Sequence, residues 1–285
     1  MTITSISDYK SSLRERPMFV KTAARAAPVS VSVSRWTTLW DGTGTPGAGA
    51  LAVGNTANGV VPTDATTGAP TIRFSSGTGY LTNAEVAENI SGTANGPCRF
   101  FLYDRLFHAG AYAFNAATAL ASQPSFASRV PGGTDFSGLQ IWWETVTTFT
   151  GIPSIEVIYT NQSGNAGHTT GVVSLGVATT IGDMFQLPLA SGDSGVSKIE
   201  SVTCTVATIG TFNIIVARPL MYGSLGRVLS VIDAYFVRRW WMDRLSMTQV
   251  FSDSCIAAGY IANLILAGGS APTPTFDFGI EIASK

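Results

Sequence analysis

Charge is scarce in this chain, and so are the side chains most enzymes rely on. Only 12% of its 285 residues are Asp, Glu, Lys or Arg, against roughly a quarter in an ordinary soluble domain. Two histidines cannot fill a zinc site without thiols or carboxylates at ligand spacing, and no such cluster occurs. Cys98, Cys204 and Cys255 lie far apart and are odd in number, which argues against a disulfide framework, so all three are expected to be reduced. No glycine-rich phosphate loop or dinucleotide fingerprint follows a strand, and no cofactor is expected. No apolar run reaches the roughly 18 residues of a membrane helix. The nearest, at 256–267, is interrupted by Gly259 and Asn263. No apolar stretch precedes the first charges, so neither a signal peptide nor a membrane partner is expected.

What remains is 45% hydrophobic, enough for a substantial core. The few charges are unevenly placed. Residues 1–40 hold Lys10, Arg14, Arg16, Lys21, Arg25 and Arg35 against Asp8 and Glu15, a net +4. With the whole chain at −1, the remainder is −5. Residues 1–28 read as a basic N-terminal arm on a mildly acidic body, suited to an acidic neighbouring surface. Nucleic acid is a poorer match, because no stacking aromatics accompany the cations. Ser5 or Ser7 is placed to cap a short helix running to Leu13, and Pro17 and Pro28 break regular structure after it. The apolar triplet Met18-Phe19-Val20 has two readings: an anchor that folds when the arm docks, or a strand packed on its own body.

Residues 29–285 read as a single β body. The run at 29–33 alternates apolar and polar, as a strand does. Residues 41–70 are rich in Gly, Pro, Asn and Thr and read as an extended surface loop, with a short strand around Ala50-Leu51-Ala52-Val53. So long a loop suggests reach toward a partner. A helical turn or two fits 79–87, residues 99–106 read as a strand or short buried segment, and the Ala-rich stretch 109–121 is open to helix or wall. From 139 to 218, short strands rich in Trp, Val, Ile and Thr alternate with Gly/Asn turns at regular spacing, the rhythm of a sandwich or barrel. Residues 226–245 fit helix or strand. The alternating run at 276–282 is the last expected strand and would pin the C-terminal end into a sheet.

Few motifs suggest chemistry. Gly192-Asp193-Ser194-Gly195 is the tetrapeptide around the nucleophile of chymotrypsin-like proteases, but Val196 and Ser197 replace the Gly-Pro that follows there. Neither His108 nor His168 has that family's histidine context, so a β-turn explains the tetrapeptide better. Glu144 and Glu156 lie on expected strands and read as solvent-facing rather than as a glycosidase pair. Trp142-Trp143 should split, one buried and one exposed or at an interface, because strand neighbours face opposite sides. Arg238-Arg239-Trp240-Trp241 fits a subunit contact, where Trp and Arg are enriched, better than a sugar or nucleic-acid site.

Two stretches carry a resemblance. The hairpin at 155–170 and the run 185–196 leading into Lys198-Ile199-Glu200-Ser201-Val202 are similar in style to virion proteins of tailed bacteriophages, a likeness covering roughly 139–220. It implies a mainly β fold, a β-sandwich, jelly-roll-like, in a symmetric particle, and it supplies no catalytic residues. On that footing the chain is expected to be a non-enzymatic virion structural protein in a cement or decoration role on the capsid shell. It would assemble as a homotrimer and bind the major capsid protein or another virion protein. The expected contact residues are Arg14, Arg16, Phe19, Lys21 and Arg25 of the arm, with Arg238, Arg239 and Trp240. A tail, collar or baseplate component is the alternative within the virion. A tail-tip carbohydrate-binding module or hydrolase using Trp142, Trp143, Trp240 or Trp241 is the alternative from another class.

Overall fold

The computed structural model describes residues 5–15, 18–22, 36–63, 65–69, 79–90, 98–114, 117–174, 181–204, 206, 208–225, 237–244, 255–256, 262–267 and 275–284. Among the described residues the first element is a short helix, α1 (Ile6–Ser11), and two 3-10 turns follow at Ala127–Arg129 and Pro131–Gly133. Ser5 caps the helix, accepting from the Asp8 backbone N–H at 3.1 Å. Strands make up most of the rest. The first third holds β1 (Leu13–Glu15), β2 (Met18–Thr22), β3 (Trp36–Thr38), β4 (Thr43–Thr45), β5 (Asn55–Val60) and β6 (Gly79–Ile90). The middle holds β7 (Cys98–Ala113), β8 (Ala117–Ala119), β9 (Gln140–Thr147), β10 (Ser154–Asn161), β11 (His168–Thr169), β12 (Val173–Ser174) and β13 (Asp183–Leu187). The last third holds β14 (Val196–Cys204), β15 (Thr211–Leu225), β16 (Val237–Arg244), β17 (Cys255–Ile256), β18 (Ala262–Ala267) and β19 (Thr275–Ser284).

Among the described residues every strand pairing is antiparallel, and the strands form three sheets. The central sheet closes on itself. β7 pairs β15, β15 pairs β9, β9 pairs β13, β13 pairs β3, β3 pairs β18, and β18 returns to β7. β5 extends β7 beyond the part that β18 covers. The second sheet, β11-β10-β14-β8 with β12 on β10, and the third, β16-β6-β19-β2-β4 with β1 and β17, complete the molecule.

The side-chain period of two then sorts the core. Alternate residues of the central sheet point into the ring, where Phe101, Tyr103, Trp142, Met184, Ile215 and Ala217 form one buried cluster. The residues between them point outward. Trp143, Phe212, Ile214 and Val216 pack against Ile155, Val157, Ile199 and Val202 of the second sheet. Phe100, Leu102 and Met221 pack against Leu81, Val86, Phe278 and Ile280 of the third. The fold is therefore mainly β, with antiparallel sheets packed face to face around a closed central layer.

Several expectations hold. β19 spans the alternating C-terminal run and lies between β2 and β6, so that end is pinned in a sheet. The turn at 161–167 joins β10 to β11 in a hairpin. Cys204 is a reduced, partly buried thiol packed at the edge of the core.

Others are corrected. Residues 79–87 are strand, not helix, because β6 is flanked on both sides by β16 and β19 and tertiary pairing overrides local propensity. The Ala-rich stretch continues β7 and adds β8, which pairs β14. The 41–70 stretch holds two described strands, β4 (Thr43–Thr45) and β5 (Asn55–Val60), and residues 50–53 are not strand. There the carbonyls serve side chains instead: Ala50 O accepts from Trp40 Nε1 and Leu51 O from Asn213 Nδ2. The loop folds onto its own body. The expected strand at 29–33 lies outside the described residues.

Candidate functional site

Trp142 and Trp143 are both buried, at 2% and 0% exposure, which corrects the expected split. One enters the ring and the other the space between sheets; closure of the sheet leaves neither face to solvent. Glu144 follows them into the ring and is buried, not solvent-facing. It pairs there with Arg105, whose guanidinium bonds both carboxylate oxygens. Asn213 Nδ2 donates to the same carboxylate at 2.8 Å, and Arg105 Nη2 donates to Tyr103 Oη at 3.2 Å. His108 Nδ1 lies 3.2 Å from Arg105 Nη1. Trp40, from the loop that closes this end of the ring, lies face-on over the guanidinium at 4.6 Å.

Position in the strands explains this constellation. A bulge between Val216 and Ala217 shifts the register, so that Arg105 and His108, three residues apart, both enter the ring. Gly110 is required beside them. Its φ is +158°, and a Cβ there would meet Asn213 Oδ1 at 2.0 Å. Burial and the neighbouring Arg105 charge both press His108 well below its ordinary pKa, so the imidazole is neutral. Burial opposes the charge of Arg105, but Glu144 and Tyr103 outweigh it and hold the guanidinium charged. Burial raises Tyr103, with Arg105 working against that shift.

A second constellation lies at the surface, where the 161–167 turn meets the Gly192-Asp193-Ser194-Gly195 turn. Asp193 accepts from Tyr159 Oη at 2.7 Å and from Asn161 Nδ2 at 2.9 Å, and His168 Nδ1 lies 2.7 Å from its Oδ2. His168 Nε2 lies 3.4 Å from Asn161 Nδ2. Ser194 enters through its backbone: its N–H and that of Gly195 donate to Gln162 Oε1 at 3.1 and 3.2 Å. A histidine–aspartate pair is thus present beside the protease-like tetrapeptide. The two adjacent N–H groups that would hold an oxyanion are occupied by the chain's own amide, and Gly192 (φ +90°) makes the tetrapeptide a turn. Desolvation works against the Asp193 charge, but the bonds from Tyr159 and Asn161 and the neighbouring His168 outweigh it and hold the carboxyl below 3.8. Burial, then the Asp193 bond, pushes Tyr159 up to about 12.

The predicted contact residues fall on the third sheet where they are described. Phe19 is 6% exposed and packs on Phe278 at 5.1 Å between ring centroids, so the apolar triplet is a strand on its own body and not a free anchor. Lys21 pairs Phe276 and Gly44, and Arg14 pairs Ala283. Arg16 and Arg25 lie outside the described residues. Arg238, Arg239, Trp240 and Trp241 lie on β16 opposite Asn89, Glu88, Ala87 and Val86, with β6 and β19 between them and β2. Glu156 accepts from Thr169 Oγ1 at 2.6 Å on the second sheet, so it and Glu144 are not brought together. Sequence reasoning missed the pairing of Arg105 with Glu144. Its trace was a charge set inside each of two aromatic strand segments, in a chain with few charges.

No known protein family matches the chain, and no curated sequence does. Among solved structures it is weakly similar to that of infectious bursal disease virus Gx strain, at 9% identity over 95% of this chain and 81% of that one, TM-score 0.18. T=1 particles derived from infectious bursal virus match at 8% identity over 95% and 78%, TM-score 0.19. The VP2 subviral particle of the same virus matches at 9% identity over 96% and 81%, TM-score 0.19.

Proposed function

We propose that this chain is a non-enzymatic structural protein of a virion, acting through repeated surface contacts on a capsid shell. One observation carries the reading: among the described residues, the two clusters of polar groups able to do chemistry are engaged in holding strands and turns together. Arg105, His108 and Glu144 brace the ring, and Asp193 and His168 fasten two turns. Low charge, an extensive β scaffold and surface turns suit a protein whose work is burial of area against neighbours, about 1,000 Å² or more per stable contact. The cement or decoration role, the trimeric state and the phage source are finer parts of this proposal. So are an acidic neighbour for Arg14 and Lys21 and a subunit contact at Arg238, Arg239 and Trp240.

Quantitative mass spectrometry of purified virions tests it. Hundreds of copies per particle fit a lattice-wide role. A handful would move the chain to a unique vertex or the tail, and absence would overturn the reading. Deleting residues 1–28 is a poor test of the basic segment, because it removes β2 from the third sheet. Reversing Lys21 and Arg14 to Glu removes the charge and keeps the strands.

A further inference from the structure

Trp40 and segment 46–54 close one end of the ring, and few bonds hold them there. Asn213 Nδ2 donates to Leu51 O at 2.8 Å, Trp40 Nε1 to Ala50 O at 3.0 Å, and the Gly49 N–H to Trp40 O at 2.8 Å. Trp40, Leu51 and Ala69 form a small apolar cluster of their own. Segment 46–54 belongs to no strand. Against this closure lies His108, fully buried, with Asn213 and the Leu51 backbone beside its ring. Its Nδ1 faces Arg105 Nη1 at 3.2 Å. A guanidinium only donates, so Nδ1 is the acceptor and the imidazole proton sits on Nε2. Arg105 in turn carries Trp40 over its other side at 4.6 Å. The contact between His108 and Arg105 thus underlies both parts of the closure.

We propose that His108 is an acid-operated latch: taking up a second ring proton breaks its contact with Arg105 and frees segment 46–54 from the end of the ring. The second proton turns Nδ1 into a donor aimed at another donor. It also leaves the buried cluster with one unbalanced positive charge, where Arg105 and Glu144 otherwise cancel. Glu144 balances one cation and not two. Its Oε2 lies 3.8 Å from His108 Nε2, outside hydrogen-bond reach, and already accepts from Arg105 at 3.2 Å and Asn213 at 2.8 Å. No other neighbouring element supplies an anion. Burial raises Tyr103, so its hydroxyl stays neutral; Ile215, opposite His108 on β15, is apolar; and β5 and segment 46–54 carry no titratable side chain. Strands flank β7 at His108 on both sides, whereas segment 46–54 hangs on the bonds named above, so the closure yields before the sheet does. The sign follows from the environment. Burial and Arg105 depress His108 below 6.5, so the closed form binds fewer protons than the open one; closure holds above that value and weakens as pH falls below it. Opening bares Trp40 and Leu51, which are otherwise buried. The latch stands apart from the virion role, and the copy number of the chain in particles does not bear on it.

Hydrogen exchange of the full chain, read by mass spectrometry from about pH 7.5 to about pH 5 and corrected for the intrinsic pH dependence of exchange, tests this. Expected is a loss of protection of about tenfold or more at the Gly49 amide across that range, with 154–161 of β10 unchanged. His108→Gln should hold the Gly49 amide at constant protection, and His168→Gln should leave the wild-type fall in place. The chain has two histidines, so a fall that survives His168→Gln belongs to His108 even where His108→Gln does not fold. Constant protection in the wild type would overturn the latch. So would equal losses at Gly49 and in β10, which mark unfolding of the whole body, and so would a fall that a folded His108→Gln retains or that His168→Gln abolishes.

Discussion

The inside of the ring and the surface turns are built from the same parts with different results. Each holds a histidine, a carboxylate, an asparagine and a tyrosine: His108, Glu144, Asn213 and Tyr103 in one, His168, Asp193, Asn161 and Tyr159 in the other. Inside the ring an arginine is added, and the whole cluster is buried. Arg105 supplies the positive charge, so His108 stays neutral. At the surface there is no arginine in the cluster, and the histidine itself lies against the carboxylate. The same residue types therefore brace a core in one place and tie two loops in the other, and burial with one added cation decides which.

Removing Glu144 should break this contrast most. Glu144→Ala leaves the Arg105 charge buried without its partner, a loss of about 3–5 kcal/mol, read as a lower urea midpoint. Gly110→Ala comes next. Its Cβ meets Asn213 at a backbone angle that side chains rarely adopt, and the expected cost is about 1–3 kcal/mol by the same measurement.

The pH dependence sharpens the comparison further. His108 has a folded pKa depressed below 6.5, so its contribution is present above that value and is lost as pH falls below it. His108→Gln should flatten the fall in stability that begins there. Asp193 is depressed below 3.8, so its contribution is intact above 3.8 and fades only in stronger acid. Asp193→Asn should flatten the acid limb alone, seen in melting temperature against pH. A single shared window for the two variants would erase the distinction. The smallest effect belongs to the exposed turn after β9: Ile152→Ser should change the stability of the isolated chain by no more than about 0.5 kcal/mol, since the side chain is largely exposed.

Much of the fold was legible in the chain. The period-two runs at 139–218 and 276–282 marked strands, and the Asn/Gly stretch after Tyr159 marked a hairpin turn, because both signals are local. The misreadings share a cause. Residues 79–87, and segments 109–113 and 117–119 of the stretch left open to helix or wall, have ordinary local preferences and become strands only because distant strands flank them. Trp142 and Trp143 obeyed the alternation expected of them, but alternation fixes opposite faces and does not say whether both faces are covered.

By itself the sequence determined the β class, the turn positions and the poverty of charge, since composition and short-range pattern carry them. Only tertiary structure decided that the central sheet closes, that Arg105 and Glu144 meet inside it, and that Phe19 belongs to the body's own core. Those outcomes depend on pairings between residues tens to hundreds of positions apart, as Thr82 bonding Glu281 across 199 residues shows. No local preference encodes them.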